Sequence, residues 1–155
     1  MLSASQEKVL IALLKEKLAR ILAIDPGKTT GFSSFDQQNP MVARTWQKEC
    51  THDEFVNELN EEWPNVIIME SFVHTHRTGV DYTPVEFIGL TKWFVERRDI
   101  ILVEQTPGYG KAFFDNDKFK KMGVYIASLP HGMDAQSHLY QFMMKYGLID
   151  LRLLK

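Results

Sequence analysis

Residues 22–35 read LAIDPGKTTGFSSF, and this stretch decides which fold the chain adopts. An apolar run ends on Asp25, and Pro-Gly-Lys-Thr-Thr-Gly follows it, which fits both a phosphate-binding loop and the corner of a β-hairpin. The phosphate-binding loop requires the pattern G-x-x-x-x-G-K-[ST] between a strand and a helix. Leu22 occupies the place of the first glycine, and GFSSF at 31–35 does not have the pattern of a helix. The stretch therefore predicts a hairpin corner after a buried strand.

Outward from this hairpin, the hydrophobic pattern predicts three β elements followed by alternating helices and strands. Nearly continuous apolar runs are typical of strands covered on both faces, and they occur at 20–25, 65–70 and 99–105. Alternating stretches at 31–35 and 41–47 form an antiparallel meander with the first run. Helical spacing of apolar residues is found at 4–19, 51–63, 83–98, 114–125 and 133–147. We expect an α/β fold in which helices flank a mixed five-stranded sheet, made of an antiparallel three-stranded meander plus parallel strands.

Composition restricts the class of protein. A chain of 155 residues with 45% apolar residues has the size of one domain, with 1–19 as an amphipathic N-terminal helix and 20–155 as the sheet domain. The single cysteine, Cys50, excludes an internal disulfide framework and a multi-cysteine zinc site, and it favours a reducing setting. Neither a membrane span nor a signal peptide is recognisable, so we expect a cytoplasmic protein. The net charge of −2 argues against a large surface that wraps DNA non-specifically.

Acidic residues end the predicted central strands. Asp25 ends the first apolar run and Glu70 ends the second, and the carboxyl ends of such strands are where sites assemble in α/β sheets. Glu104 ends ILVE in the same way and is a third candidate. Two alternatives stay open at this point: Asp25 caps the Pro-Gly turn, and Glu104 marks where its strand reaches the surface.

The last predicted helix carries a polar stripe. His131, Asp134 and His138 are spaced by three and four residues, which places them on one helical face. Capping by Asp134 with incidental histidines explains the stripe as well as metal binding does. Together with Asp25 and Glu70, the stripe makes an oxygen-rich set without cysteine, which suits Mg²⁺ or Mn²⁺ better than structural zinc.

With these acids in order, the chain resembles the RuvC-like branch of the RNase H-fold nucleases, and within it the small phage-type Holliday junction resolvases. The resemblance runs from about Arg20 to Gly147. Four blocks carry it in family order: ILAIDPGKTTGF (21–32), VIIMESF (66–72), VEQTPGYGKAFFDNDKF (103–119) and HGMDA (131–135). The N-terminal helix is additional, and His131 stands where many members have an acid.

The resemblance implies a site and its ligands. It makes Asp25, Glu70, His131 and Asp134 the ligands of two Mg²⁺ ions, for which Mn²⁺ substitutes, and Lys111 the group that offsets charge on the scissile phosphate. No small-molecule cofactor is implied. Contacts to DNA are assigned to Lys28, Phe72, His74, Arg77, Lys111 and Lys118. Glu104 and His138 are further candidates.

The implied function is a metal-dependent, structure-selective endodeoxyribonuclease that cuts four-way or other branched DNA, working in the host cytoplasm if it is phage-encoded. Two coordinated cuts imply a two-fold homodimer. The helix at 83–98, with Phe87, Trp93 and Phe94, is either its interface or ordinary core packing. The alternatives are a nuclease of the same fold acting on flaps or RNA/DNA hybrids, and a non-catalytic nucleic-acid-binding module.

Overall fold

A five-stranded sheet is built around the strand that ends on Asp25. The computed structural model describes residues 2–40, 43–72, 79 and 81–149. The strands are β1 (Arg20–Asp25), β2 (Thr29–Asp36), β3 (Arg44–Glu49), β4 (Val66–Glu70) and β5 (Ile101–Gln105). Their order is β3-β2-β1-β4-β5, with β1, β2 and β3 antiparallel and β1, β4 and β5 parallel. The predicted mixed sheet with its meander is confirmed.

Helices cover both faces of the sheet. They are α1 (Ala4–Lys15), α2 (His52–Glu62), α3 (Thr83–Glu96), α4 (Asn116–Met122) and α5 (Pro130–Lys145), with a single 3₁₀ turn at Gly110–Ala112. One core lies between the sheet and α5, and a second lies between the sheet and the pair α2 and α3. Within the described ranges, every helix is too short or too polar to cross a bilayer.

The first helix ends earlier than its apolar pattern predicts, at Lys15 instead of residue 19. Lys17 adopts a left-handed conformation with φ of 57°, which stops the helix, and the chain then turns into β1. Two amides hold this connection: the Gln37 side chain accepts from the Ala19 N–H (3.0 Å), and Asn65 Nδ2 donates to the Leu18 carbonyl (2.8 Å). Buried backbone groups that leave the helix are thereby hydrogen-bonded.

Asn65 also joins the beginnings of three parallel strands. Its Oδ1 accepts from the Arg20 N–H at 2.8 Å, and its own N–H donates to the Arg20 carbonyl at 3.0 Å. Its carbonyl accepts from the Ile101 N–H at 3.0 Å. One residue therefore ties β1, β4 and β5 together at the edge where they start.

The aromatic side chains of α3 only partly agree with the expected interface. Phe87 and Phe94 are each 1% exposed and pack in the core, where the Phe87 ring stacks on Phe55 at 4.4 Å between centroids. Trp93 is 45% exposed. For Phe87 and Phe94 the core-packing alternative is therefore correct, because both face the sheet.

Gly31 sets the distance between the sheet and the start of α5. A Cβ at this position would lie 1.9 Å from the His131 carbonyl oxygen and 2.7 Å from the Gly132 nitrogen. The His131 N–H also donates to the side chain of Gln47 on β3, at 3.0 Å. Because Gly31 pairs with Asp25 across β1 and β2, this contact holds His131 beside Asp25.

Gly31→Ala is expected to lower the free energy of unfolding by ~1–3 kcal/mol, since an added methyl overlaps backbone that has little room to move. Gly89→Ala is the matched control: a Cβ there meets nothing within 4 Å. It should leave stability unchanged or raise it by ~0.5–1 kcal/mol, because alanine favours a helix interior. Urea denaturation of both variants measures the difference. Equal stability of the two would contradict the close contact.

Candidate active site

Strand register brings three polar side chains to one edge of the sheet. Ile21, Val66 and Ile101 lie side by side and all face α5. Because side chains alternate along a strand, the residues four positions later face the same way. These residues are Asp25, Glu70 and Gln105. Helix α5 presents His131, Asp134 and His138 to the same edge, where His131 contacts Asp25 and His138 contacts Glu70, while Asp134 contacts Lys111.

Asp25 has a carboxyl group whose charge is disfavoured by its surroundings. The side chain is 14% exposed, and its Oδ2 lies 3.1 Å from Nδ1 of His131. The pKa of Asp25 is raised to about 6, mainly by burial and further by the negative charges of Glu70 and Asp134, while the contact with His131 opposes the shift. Glu70 and Asp134 are therefore near enough to Asp25 for their charges to disfavour its ionised form.

Glu70 is held from behind by a buried pair. Nε2 of His138 donates to Oε2 of Glu70 at 2.7 Å, and Nδ1 of His138 lies 2.6 Å from Oε1 of Gln105. His138 and Gln105 are both buried. Sequence reasoning did not identify Gln105, because an amide is not a typical metal ligand. Gln105 could have been identified from its position, because it follows the apolar residues of β5 as Glu70 follows those of β4.

Asp134 is paired with Lys111. Lys111 lies on the 3₁₀ turn that follows β5, and its Nζ is 2.9 Å from Oδ1 of Asp134. The turn approaches α5 closely because its first residue is Gly110, where a Cβ would lie 2.7 Å from the backbone nitrogen of His138. The lysine expected at the scissile phosphate is thus at the carboxylate edge.

Glu104 lies apart from this group. Its side chain lies on the opposite face of the sheet from that of Gln105, and its Oε1 lies 2.9 Å from Nζ of Lys92 on α3. Its candidacy as a third strand-end acid is not supported by this placement, because the side chain faces the other side of the sheet.

The described residues assigned to DNA contact lie on separate elements. Lys28 is exposed in the turn between β1 and β2, and Phe72 is half-buried just after β4. Lys118 lies on α4 with its Nζ 4.2 Å from the centre of the Phe113 ring. His74 and Arg77 fall outside the described residues.

The set has the chemistry of a divalent-cation site without being closed around one. Among the described residues, no three His, Cys, Asp or Glu side chains already converge on one point. Each acid instead contacts a nitrogen: Asp25 contacts His131, Glu70 contacts His138, and Asp134 contacts Lys111. Carboxylate oxygens with one imidazole suit Mg²⁺ or Mn²⁺, and a cation would favour the ionised form of Asp25, which burial and the charges of Glu70 and Asp134 disfavour. The residue types therefore fit such an ion.

Comparisons with known proteins identify the fold. No protein-family model and no curated protein matches the sequence. Among solved structures, Thermus thermophilus RuvC in complex with a Holliday junction substrate matches with a TM-score of 0.62 and 13% identity, over 83% of this chain and 96% of that one. The fowlpox virus resolvase with its Holliday junction DNA matches with a TM-score of 0.61 and 13% identity, over 81% and 99%.

The yeast mitochondrial Holliday junction resolvase Ydc2 matches with a TM-score of 0.51 and 11% identity, over 91% of this chain and 86% of that one. Identities this low show a common fold. The predicted fold is thereby confirmed: the chain has the RuvC-like form of the RNase H fold.

Proposed function

We propose that this protein is a divalent-metal-dependent endonuclease that cuts four-way or other branched DNA. The observation that carries the proposal is the group of acids at the carboxyl edge of the sheet, where Asp25 and Glu70 end adjacent strands and the charges of Glu70 and Asp134 act on Asp25. Two proteins of similar fold, from Thermus thermophilus and fowlpox virus, were solved with Holliday junction DNA, which supports this substrate class.

Asp25, Glu70, His131 and Asp134 are the proposed ligands of two Mg²⁺ ions, with Mn²⁺ as a substitute. Bound ions supply Lewis-acid chemistry for phosphodiester hydrolysis. The protein itself holds the acids together and orients them. Lys111, an exposed ammonium beside Asp134, is placed to neutralise charge on a phosphate. His131 contacts Asp25 through Nδ1, which leaves Nε2 either to complete the second metal site or to help activate the attacking water.

The surrounding surface suits DNA. Lys28 and Lys118 offer cations, and Phe72 with Phe113 offers aromatic rings on which bases stack. His74 and Arg77 remain proposed contacts from sequence alone. Paired cuts at a junction require two active sites, so we also propose a two-fold homodimer.

Removal of the acids tests the chemistry. Asp25→Asn and Asp134→Asn are expected to reduce Mg²⁺-dependent nicking of a synthetic four-way junction by at least ~100-fold, since each removes a charge that binds the ions. Glu104→Gln is the matched control, because Glu104 lies on the opposite face, and it should cut like the parent.

A single-turnover gel assay with and without EDTA measures these rates. A flap and an RNA/DNA hybrid run beside the junction separate the proposed substrate class from the alternatives. Undiminished cutting by Asp25→Asn would refute the mechanism. Preferential cutting of the hybrid would change the substrate class.

Lys111→Ala is expected to slow single-turnover cutting by about 100-fold, because a positive charge near the scissile phosphate is lost. Lys111→Arg keeps the charge and should retain part of the rate. Lys121→Ala, a change on α4, serves as the comparison. Junction binding measured in EDTA should fall much less than cutting in Lys111→Ala, because one phosphate contact is a small part of the DNA-binding surface. A loss of cutting no larger than the loss of binding would argue against the assigned role.

The raised pKa of Asp25 predicts how stability depends on pH. Folding raises this pKa from 3.8 to about 6, so the folded protein binds the proton more tightly than the unfolded chain. The resulting stabilisation is complete below about pH 4 and is lost as pH rises through about 6. In EDTA, Asp25→Asn should therefore gain ~2–2.5 kcal/mol relative to the parent between pH 4 and pH 7.5.

Urea unfolding at the two pH values measures this gain, with Asp117→Asn on α4 as a control that should follow the parent. A constant difference between Asp25→Asn and the parent at both values would contradict the raised pKa. Added Mg²⁺ should stabilise the parent more than Asp25→Asn.

A further inference from the structure

Two buried polar side chains behind Glu70 take no part in the proposed contacts with metal or DNA. His138 is 1% exposed and Gln105 is 7% exposed. Burying polar groups is unfavourable unless they are hydrogen-bonded, and here each contacts the other and His138 contacts Glu70. The arrangement places polar atoms beside the apolar residues that α5 buries against the sheet.

We propose that Gln105 and His138 form a positioning relay that fixes the carboxylate of Glu70 for cation binding; this inference rests on the proposed function. The relay runs from Gln105 Oε1 to His138 Nδ1 (2.6 Å) and from His138 Nε2 to Glu70 Oε2 (2.7 Å). Gln105 Nε2 also reaches the His138 carbonyl at 3.4 Å, so the amide holds both the ring and the backbone of the histidine.

Exposure separates this contact from those of the other two acids. The His131 side chain on Asp25 is 47% exposed and the Lys111 side chain on Asp134 is 54% exposed, so water and substrate reach both. The His138 side chain is only 2% exposed and lies between α5 and the sheet. The contacts of Asp25 and Asp134 are therefore exchangeable, whereas Glu70 keeps its partner.

A fixed carboxylate lowers the cost of binding a cation. A glutamate at a strand end has three rotatable side-chain bonds, and ordering it on binding costs conformational entropy. The relay restricts the side chain beforehand through Oε2 and leaves Oε1 without a contact to His138. Hydrogen-bonded partners behind a ligand commonly change metal affinity or activity by 10–100-fold.

Mn²⁺ binding in the absence of DNA tests the relay. Gln105→Leu removes the amide at similar volume and should weaken Mn²⁺ binding, measured by electron paramagnetic resonance, by about 10-fold. Gln105→Glu keeps an oxygen that accepts from His138 and should restore binding towards the parent. Unchanged Mn²⁺ affinity in folded Gln105→Leu would overturn the inference.

The same change in a Glu70→Gln background separates positioning from general damage. If the relay acts through Glu70, Gln105→Leu should cause no further loss of affinity there. An equal loss in both backgrounds would overturn the inference, because the effect would then be structural.

If Gln105→Leu does not fold, His138→Gln and His138→Leu are compared instead. The glutamine amide of His138→Gln can donate to Glu70, so this variant should keep a Mn²⁺ affinity closer to the parent than His138→Leu does. Equal Mn²⁺ affinities of these two variants would count against the relay.

A readout without metal or activity keeps the two proposals distinguishable. In the metal-free protein, ¹⁵N NMR should find a slowly exchanging imidazole N–H of His138 that shifts in both Glu70→Gln and Gln105→Leu. Should the parent neither bind Mn²⁺ nor cut DNA, the proposed function fails. The relay itself then fails only if this signal is absent or insensitive to both changes.

Discussion

The packing of α5 across one face of the sheet is the constraint on which the rest of the structure depends. Met133, Leu139 and Phe142 are buried against the apolar residues of the parallel strands. At ~2 kcal/mol for each fully buried side chain, these three contribute about 6 kcal/mol, more than the ~3 kcal/mol by which the ionised Asp25, buried and near two other acids, destabilises the fold near neutral pH. The apolar part of the helix thus keeps its polar residues against the acids.

The same comparison explains why charge is tolerated at this edge. Carboxylates that repel one another favour separation, and a mobile loop would separate them. Asp25 and Glu70 instead belong to adjacent hydrogen-bonded strands, and Asp134 belongs to a helix whose first turn packs against Gly31. The acids cannot move apart without breaking the ladder or lifting the helix, so repulsion appears as a raised pKa and not as a displacement.

Much of the fold, and the proximity of the acids, could be predicted because they depend on local patterns. Apolar runs and their end points predicted β1, β4 and β5, and the common position of Asp25 and Glu70 at the ends of strands implied their proximity. Alternation along β5 places Glu104 and Gln105 on opposite faces of the sheet. Which of the two faces the candidate site depends on the register between strands, which cannot be read from the sequence. The burial of Phe87 and Phe94 and the pairing of Asp134 with Lys111 depend on how α3 and the 3₁₀ turn pack, which is decided by long-range contacts.

Asn65 has a consequence for the opposite end of the molecule. Its four hydrogen bonds lie where β1, β4 and β5 begin, about 16 Å from the acids at ~3.3 Å per residue. A slip of one residue between β1 and β4 would turn either Asp25 or Glu70 to the other face of the sheet. The Asn65 side chain lies far from the candidate site, yet its hydrogen bonds help to fix the register of the strands. The register determines which side chains lie together in the site, and the chemistry of those side chains determines what the site does.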